Sequence, residues 1–315
     1  MTNASSEHSP AAGSPPASID VGAIIPRSEA DIPTLVAILD QAMIRLREIA
    51  PDDVEWGNPT PCAGWAVSDI YAHIIDLELT MAGEPVSTYE PDWAELPHVK
   101  GDFQRLTERG VAERRSWSRE QMLSSFDQIH RRRQEQLIQG KHDPESETLG
   151  PFGAPFPLDR VLRMRILDCW VHEQDIRAAI DQPGDWGTPA AWITAGSMVG
   201  GLGFVLGKRL GASPGTTLRI AVTGPAVRFS ATVMVGPNNR GMLVGTAQEP
   251  TAAVELSWPE FMRLSAGRGP AFMRNADRSG VGGNAEVNGA AADAVRTSGD
   301  LRLAEQFLAG LAVLP

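Results

Sequence analysis

The hydrophobic period of this chain changes once, near Gly211, and that change demands two kinds of architecture in one polypeptide. Before it, apolar residues recur at helical spacing. Leu35, Leu39, Met43 and Leu46 predict a helix over about 30–49, followed by Pro51. Ile70, Ile74, Leu77 and Met81 predict a second, with Ser68 as its N-cap after a loop from Trp56 to Trp65. Met122, Phe126, Ile129 and Leu137 mark a third over about 118–138, and a fourth runs from about Leu158 to Ile180, ending before Gln182-Pro183-Gly184. An Ala- and Gly-rich helix over about 189–209 follows. Its Gly196, Gly200, Gly201 and Gly203 read as close helix contact; no strand precedes them, so a dinucleotide fingerprint is unsupported. After Gly211 the period becomes two: Leu218, Ile220 and Val222, then Val227, Phe229, Ala231 and Val233, with AAVELSW as a third strand. Ser257-Trp258-Pro259 opens a helix to about Ala266, and Asp300 caps a last one over 301–311. The expected fold class is α+β: a four-helix bundle followed by a smaller domain of strands and helices.

With 315 residues there is chain for two cores. The expected division is a Ser/Ala/Pro-rich disordered tail over 1–24, a helical bundle over 25–210, and the α+β domain over 211–315, with a Gly/Ala/Asn-rich mobile insertion over 269–296. The net charge of −11 disfavours a nucleic-acid or membrane-surface partner. The run His130-Arg131-Arg132-Arg133 reads as the solvated flank of a helix. No stretch reaches 18 consecutive apolar residues, and the first twenty residues lack the basic and apolar regions of a signal peptide. Two cysteines, Cys62 and Cys169, fit a reducing cytoplasm rather than a disulfide framework.

Three residues point at one divalent metal ion. His73 shares the apolar face of the second helix with Ile70, Ile74 and Leu77, and Asp168 and His172 stand at i, i+4 on the fourth. Taken singly, the first is more often a satisfied core histidine and the second more often a surface hydrogen-bonded pair. Together they make an N,N,O set suited to zinc with an open coordination position. Cys169, beside Asp168, reads as a small packing residue, and Cys62 as structural. Among arginines that could grip an anionic substrate or a polar thiol, Arg165 and Arg177 have bundle salt bridges to Asp175, Glu173 or Asp181 as their alternative. Arg268, on a loop after a helix, is the catalytic candidate because it can reach across a domain interface. Glu173 and Asp175 are read either as orienting the ligand imidazoles or as surface charges.

WGNPTPCAGWAVSDIYAHIIDLE at 56–78 and LDCWVHEQDIRAA at 167–179 resemble the two signatures of the mycothiol-dependent maleylpyruvate isomerase family, which belongs to the DinB-like metal-binding helical bundles. SWPEFMRLSAGRG and the closing GDLRLAEQFLAGLAVLP resemble the sterol-carrier-like C-terminal domain of the same family. The resemblance assigns the metal to His73, Asp168 and His172; where family members can carry Glu, this chain has Asp168, one methylene shorter. It implies a cytoplasmic zinc enzyme with mycothiol as thiol cosubstrate and a small electrophilic substrate. In such an isomerase a metal-bound thiolate adds to a conjugated cis double bond, the adduct rotates, and the thiol leaves; without elimination the reaction is an S-transfer. Two further readings stay open on the same residues: a non-enzymatic lipid or small-molecule carrier with a structural metal, and a metal-dependent hydrolase.

Overall fold

The computed structural model describes residues 29–245, 249–268 and 295–314. The tail expected over 1–24 and the insertion expected over 269–296, apart from its last two residues, lie outside these.

Helices α1 (Ile32–Glu48), α2 (Val67–Met81), α3 (Asp102–Arg114), α4 (Arg119–Gln139) and α5 (Leu158–Ala179) form the first half. A short antiparallel hairpin, β1 (Glu147–Leu149) and β2 (Pro155–Pro157), enters α5. The ends are set by local chemistry. Asp31 accepts from Thr34 N at the start of α1, and Ser118 from Gln121 N at the start of α4. At α2 the cap is not Ser68. The helix begins at Val67, and the Asp69 carboxylate accepts from Ala66 N at 2.9 Å, tying the loop from Trp56 to the first turn.

Helices α1, α2, α4 and α5 make the bundle, and α3 lies against α2. Nearly every side of α2 is buried, including Asp69, His73, Asp76 and Glu78. The close packing of α3 is visible at Gly110, where a Cβ would fall 2.0 Å from the Asp76 carboxyl carbon. The basic run on α4 is not a solvated flank throughout: Arg133 is buried and bonds Glu78 Oε2 at 3.1 Å, and His130 meets Asp40 at 2.7 Å.

Helix α6 (Pro189–Phe204), extended by one wide turn over Val205–Arg209, leads to the second half. Its apolar length matches a membrane span in composition, yet two thirds of it (67%) is buried inside the fold, as expected of a core helix. The small residues act as expected at two points. A Cβ on Gly203 would come within 2.3 Å of Gly241 O on β5, and one on Gly201 within 2.9 Å of Val313. Gly200 faces open space.

The sheet has the order β5 (Gly241–Val244), β4 (Phe229–Val235), β3 (Thr217–Thr223), β6 (Ala252–Ser257), β7 (Arg296–Gly299). Strands β3 and β6 are parallel, with Ile220 opposite Val254, and the other pairs are antiparallel. The alternating residues Leu218, Ile220 and Val222 are all buried. Helices α7 (Trp258–Ser265) and α8 (Leu301–Ala309) are capped by Ser257 and Asp300. One hydrophobic core runs through both halves. At the junction Trp170 of α5 stacks on Trp258 of α7, ring centroids 5.5 Å apart. This contact brings the end of α7 beside the C-terminal part of α5.

Candidate metal centre

His73 on α2 and Asp168 and His172 on α5 converge: one ligand atom from each lies within 4.8 Å of the others. His73 Nε2 stands 3.5 Å from Asp168 Oδ2, and His172 Nε2 3.6 Å from Asp168 Oδ1. These separations exceed the roughly 2.7–3.2 Å of a good hydrogen bond. The His172 separation matches the roughly 3.3–3.6 Å between neighbouring ligands on one tetrahedral ion; His73 is measured to the other carboxylate oxygen, and one atom from each side chain closes to within 4.8 Å. His73 turns Nε2 toward the other two side chains, while its Nδ1 is buried with no hydrogen-bond partner. A cation at Nε2 would satisfy that nitrogen and leave Nδ1 as it is. The donor set therefore fits a divalent ion such as zinc. The two histidine side chains are 6% and 7% exposed and that of Asp168 is 27% exposed, so the open side of the cluster is the Asp168 side.

Protonation suits ligation. Burial draws the His73 imidazole below its ordinary pKa, against the opposing pull of Asp168, and so keeps it neutral at pH 7. Burial would raise Asp168, but Arg165 first, then His73 and His172, outweigh it and hold the carboxyl well below the usual range. Arg165 Nη1 donates to Asp168 Oδ2 at 2.6 Å and Nε to Glu78 Oε1 at 2.9 Å, while Arg133 holds the other Glu78 oxygen. A buried chain of alternating charge thus fixes the ligand carboxylate from behind.

His172 Nδ1 lies 3.1 Å from the Asp175 Oδ2 acceptor, which directs a ring proton to Nδ1 and turns Nε2 to the cluster. Arg268, from the end of α7, forks onto Asp175 with Nε at 3.0 Å and Nη2 at 2.6 Å. Asp175 is therefore the imidazole's orienting partner, as one of the two readings expected. Glu173 is buried but serves α1 and α5 instead, bonding Arg45 and Arg177. Arg177 also meets Asp185, and Arg165 pairs with Glu78 and Asp168 rather than with the acids expected from sequence. Arg268 does cross to the other half of the molecule, where Asp175 takes its Nε and Nη2, while Nη1 donates to the Ala266 carbonyl at the end of its own helix. Asp175→Asn is expected to weaken metal affinity about 10–100-fold, the usual cost of losing a ligand's orienting partner, with helical content unchanged; competition titration against a chelating dye measures it.

Trp65, which the sequence reading did not single out, covers both ligand rings, its centroid 4.9 Å from His73 and 5.8 Å from His172. Its indole Nε1 donates to Glu108 Oε2 at 2.9 Å, and Glu108 also meets His98 and Arg115. The loop that carries Trp65 folds back on itself, with Thr60 N donating to Trp65 O and Trp65 N to Cys62 O. Cys169 Sγ lies 3.7 Å from Met43 Sδ and accepts from Arg165 Nη2 at 3.6 Å. Burial pushes both thiols, Cys62 and Cys169, up to about 12, so neither is a ready nucleophile at neutral pH.

Residues 36–177 match the family model described as the mycothiol maleylpyruvate isomerase N-terminal domain. Two solved structures have a similar fold. One is the mycothiol-dependent maleylpyruvate isomerase, 16% identical, TM-score 0.50, the match covering 76% of this chain and 90% of that one. The other is a histidine-to-alanine mutant of the mycothiol-dependent maleylpyruvate isomerase, 15% identical, TM-score 0.50, covering 77% and 91%. No curated protein matches the chain. At such identities the structural likeness is one of fold.

Proposed function

We propose, taking as premise that residues 36–177 belong to the mycothiol maleylpyruvate isomerase N-terminal domain family, that this chain is an enzyme that uses a low-molecular-weight thiol, mycothiol, against an electrophilic double bond. The observation that carries the reading is the convergence of His73, Asp168 and His172, one ligand atom from each within 4.8 Å of the others, open on the Asp168 side, with no protein thiol poised to react. A divalent ion there, zinc by the chemistry of an N,N,O donor set, would lower the pKa of a coordinated thiol and supply the thiolate at neutral pH.

The chain's own residues do the rest. His73 and His172 offer neutral nitrogens, the second held in its tautomer by Asp175 and Arg268. Arg165 occupies Asp168 Oδ2 and so presents Oδ1. Trp65 closes one side of the rings against water. The incoming sulfur bonds the β-carbon as the π pair moves toward the conjugated carbonyl. Rotation and expulsion of the same sulfur give the trans isomer, and protonation of the α-carbon instead gives the S-conjugate.

Zinc-loaded protein is expected to accelerate addition of mycothiol to an activated alkene, measured by loss of enone absorbance. Asp168→Ala should abolish this and Cys169→Ser should retain it. Dependence on Cys169 and indifference to added thiol would assign the nucleophile to the protein and overturn the reading.

A further inference from the structure

We infer that Glu108 is a positioning residue for the metal centre, acting through the Trp65 indole to hold the His73 imidazole in its ligating orientation. The inference rests on the metal reading of the cluster above and not on the thiol chemistry.

The two ligand histidines are held by different means. His172 has a carboxylate at Nδ1, supplied by Asp175 at 3.1 Å, and this is the usual way in which a ligating ring is fixed. His73 lacks one, since its Nδ1 is buried without a hydrogen-bond partner. What a hydrogen bond does for His172, ring contacts must do for His73. Two rings meet it: His172 edge-on at 5.1 Å, and Trp65 at 4.9 Å, tilted by 47°. Of these Trp65 stands outside the donor set, and it touches the His172 ring as well.

Trp65 is in turn fixed at both ends. Its carbonyl accepts from Thr60 N, and Ala66 N, next along the chain, donates to Asp69 Oδ2 at 2.9 Å. The indole Nε1 donates to Glu108 Oε2 at 2.9 Å, and Glu108 is 1% exposed. Arg115 ties the two carboxylates together, with Nε on Asp69 Oδ1 at 3.1 Å and Nη2 on Glu108 Oε1 at 2.5 Å. His98 Nε2 meets Glu108 Oε2 at 3.0 Å, and its ring fills the space beside Gly64, where a Cβ would fall 2.3 Å from it. Such a network leaves the indole no freedom to slide across the ligand rings. It also gives a task to α3, which lies outside the four-helix bundle and carries Glu108. Electrostatics act in the same direction. An ion at Nε2 would draw electron density out of an imidazole, and the electron-rich indole face would then attract the ring more strongly.

The test compares Trp65→Phe, Glu108→Leu, the double variant and Glu108→Gln. Zinc affinity is read by competition with a chelating dye, ligand geometry by the visible bands of the cobalt-substituted protein, and stability by urea unfolding. Trp65→Phe and Glu108→Leu break one bond from opposite ends. Each is expected to weaken zinc about tenfold, the low end of what losing a ligand's orienting partner costs. The double variant should lose no more than either, whereas independent effects would add. Glu108→Gln keeps an acceptor for the indole and should restore both the affinity and the cobalt bands. If Glu108→Leu does not fold, Trp65→Phe, which removes no charge, decides alone. Zinc affinity and cobalt bands untouched by Trp65→Phe, or losses that add in the double variant, overturn the inference. A parent protein that takes up neither zinc nor cobalt sinks the metal reading and this inference with it. Variants that respond as expected in a protein that adds no thiol to any alkene sink the thiol reading alone and leave the role of Glu108 standing.

Discussion

Replacing His172 with alanine is expected to yield a folded protein that no longer retains a divalent ion. The side chain supplies one of three converging donors, and its removal also leaves Asp175 facing Arg268 alone. Loss of an orienting partner costs about 10–100-fold in affinity, and loss of the ligand itself should cost more. Metal per chain, measured by mass spectrometry after dialysis, should fall to near zero. Far-ultraviolet dichroism should not change, because the bundle is held by a core that does not include the imidazole: Leu162, Ile166 and Trp170 on the same helix are fully buried. A variant that keeps a full equivalent of metal would remove His172 from the centre.

Arg165→Leu is expected to be the most destabilising single change near the site. The guanidinium is 1% exposed and lies between Glu78 and Asp168. Its removal leaves Asp168 without its guanidinium and the buried Glu78, 2% exposed, with Arg133 alone. Removing one partner of a buried ion pair costs about 3–5 kcal/mol, which for a chain of this size lowers Tm by roughly 10 °C. Urea unfolding followed by tryptophan fluorescence, with Arg165→Lys as the charge-preserving control, measures the loss. A change below about 1 kcal/mol would show that water or local relaxation replaces the arginine, and that the network does not hold the ligand carboxylate in place.

The parts of the fold legible in the sequence are those whose burial is apolar. Helices α1, α4 and α5 and strands β3, β4 and β6 bury Leu, Ile, Val, Phe and Met at a regular period, and α1 and α4 open on the Asp31 and Ser118 side chains, whereas α5 follows Pro157 with no side-chain cap. Helix α3 escaped notice because what it buries is Glu108, Gly110, Val111 and Arg114; a helix that packs through ion pairs has no apolar stripe to read. Strands β1, β5 and β7 were missed because they are short and largely exposed, three or four residues each. In the candidate site, His73, Asp168 and His172 were visible through their spacing and the two sequence blocks. Their supports were not, since Glu78 and Arg133 are 55 positions apart in sequence and Asp175 and Arg268 are 93 apart. A pairing of that kind follows from how the helices dock and leaves no local pattern. Trp65 could have been suspected from its place inside the first block, where a large ring two residues before a helix start demands a partner.

The ion pairs behind the ligands also set an inventory of charge. Counting outward from the cluster, Asp168, Glu78 and Asp175 carry three negative charges and Arg165, Arg133 and Arg268 three positive ones. With neutral imidazoles the protein's own contribution cancels. Any divalent ion held there keeps its full charge of two within a desolvated wall, where Coulomb attraction far exceeds its value in water. A single thiolate neutralises half of it. Under the proposed thiol addition, the charge that passes from the sulfur to the electrophile as the bond forms would stay beside such an ion.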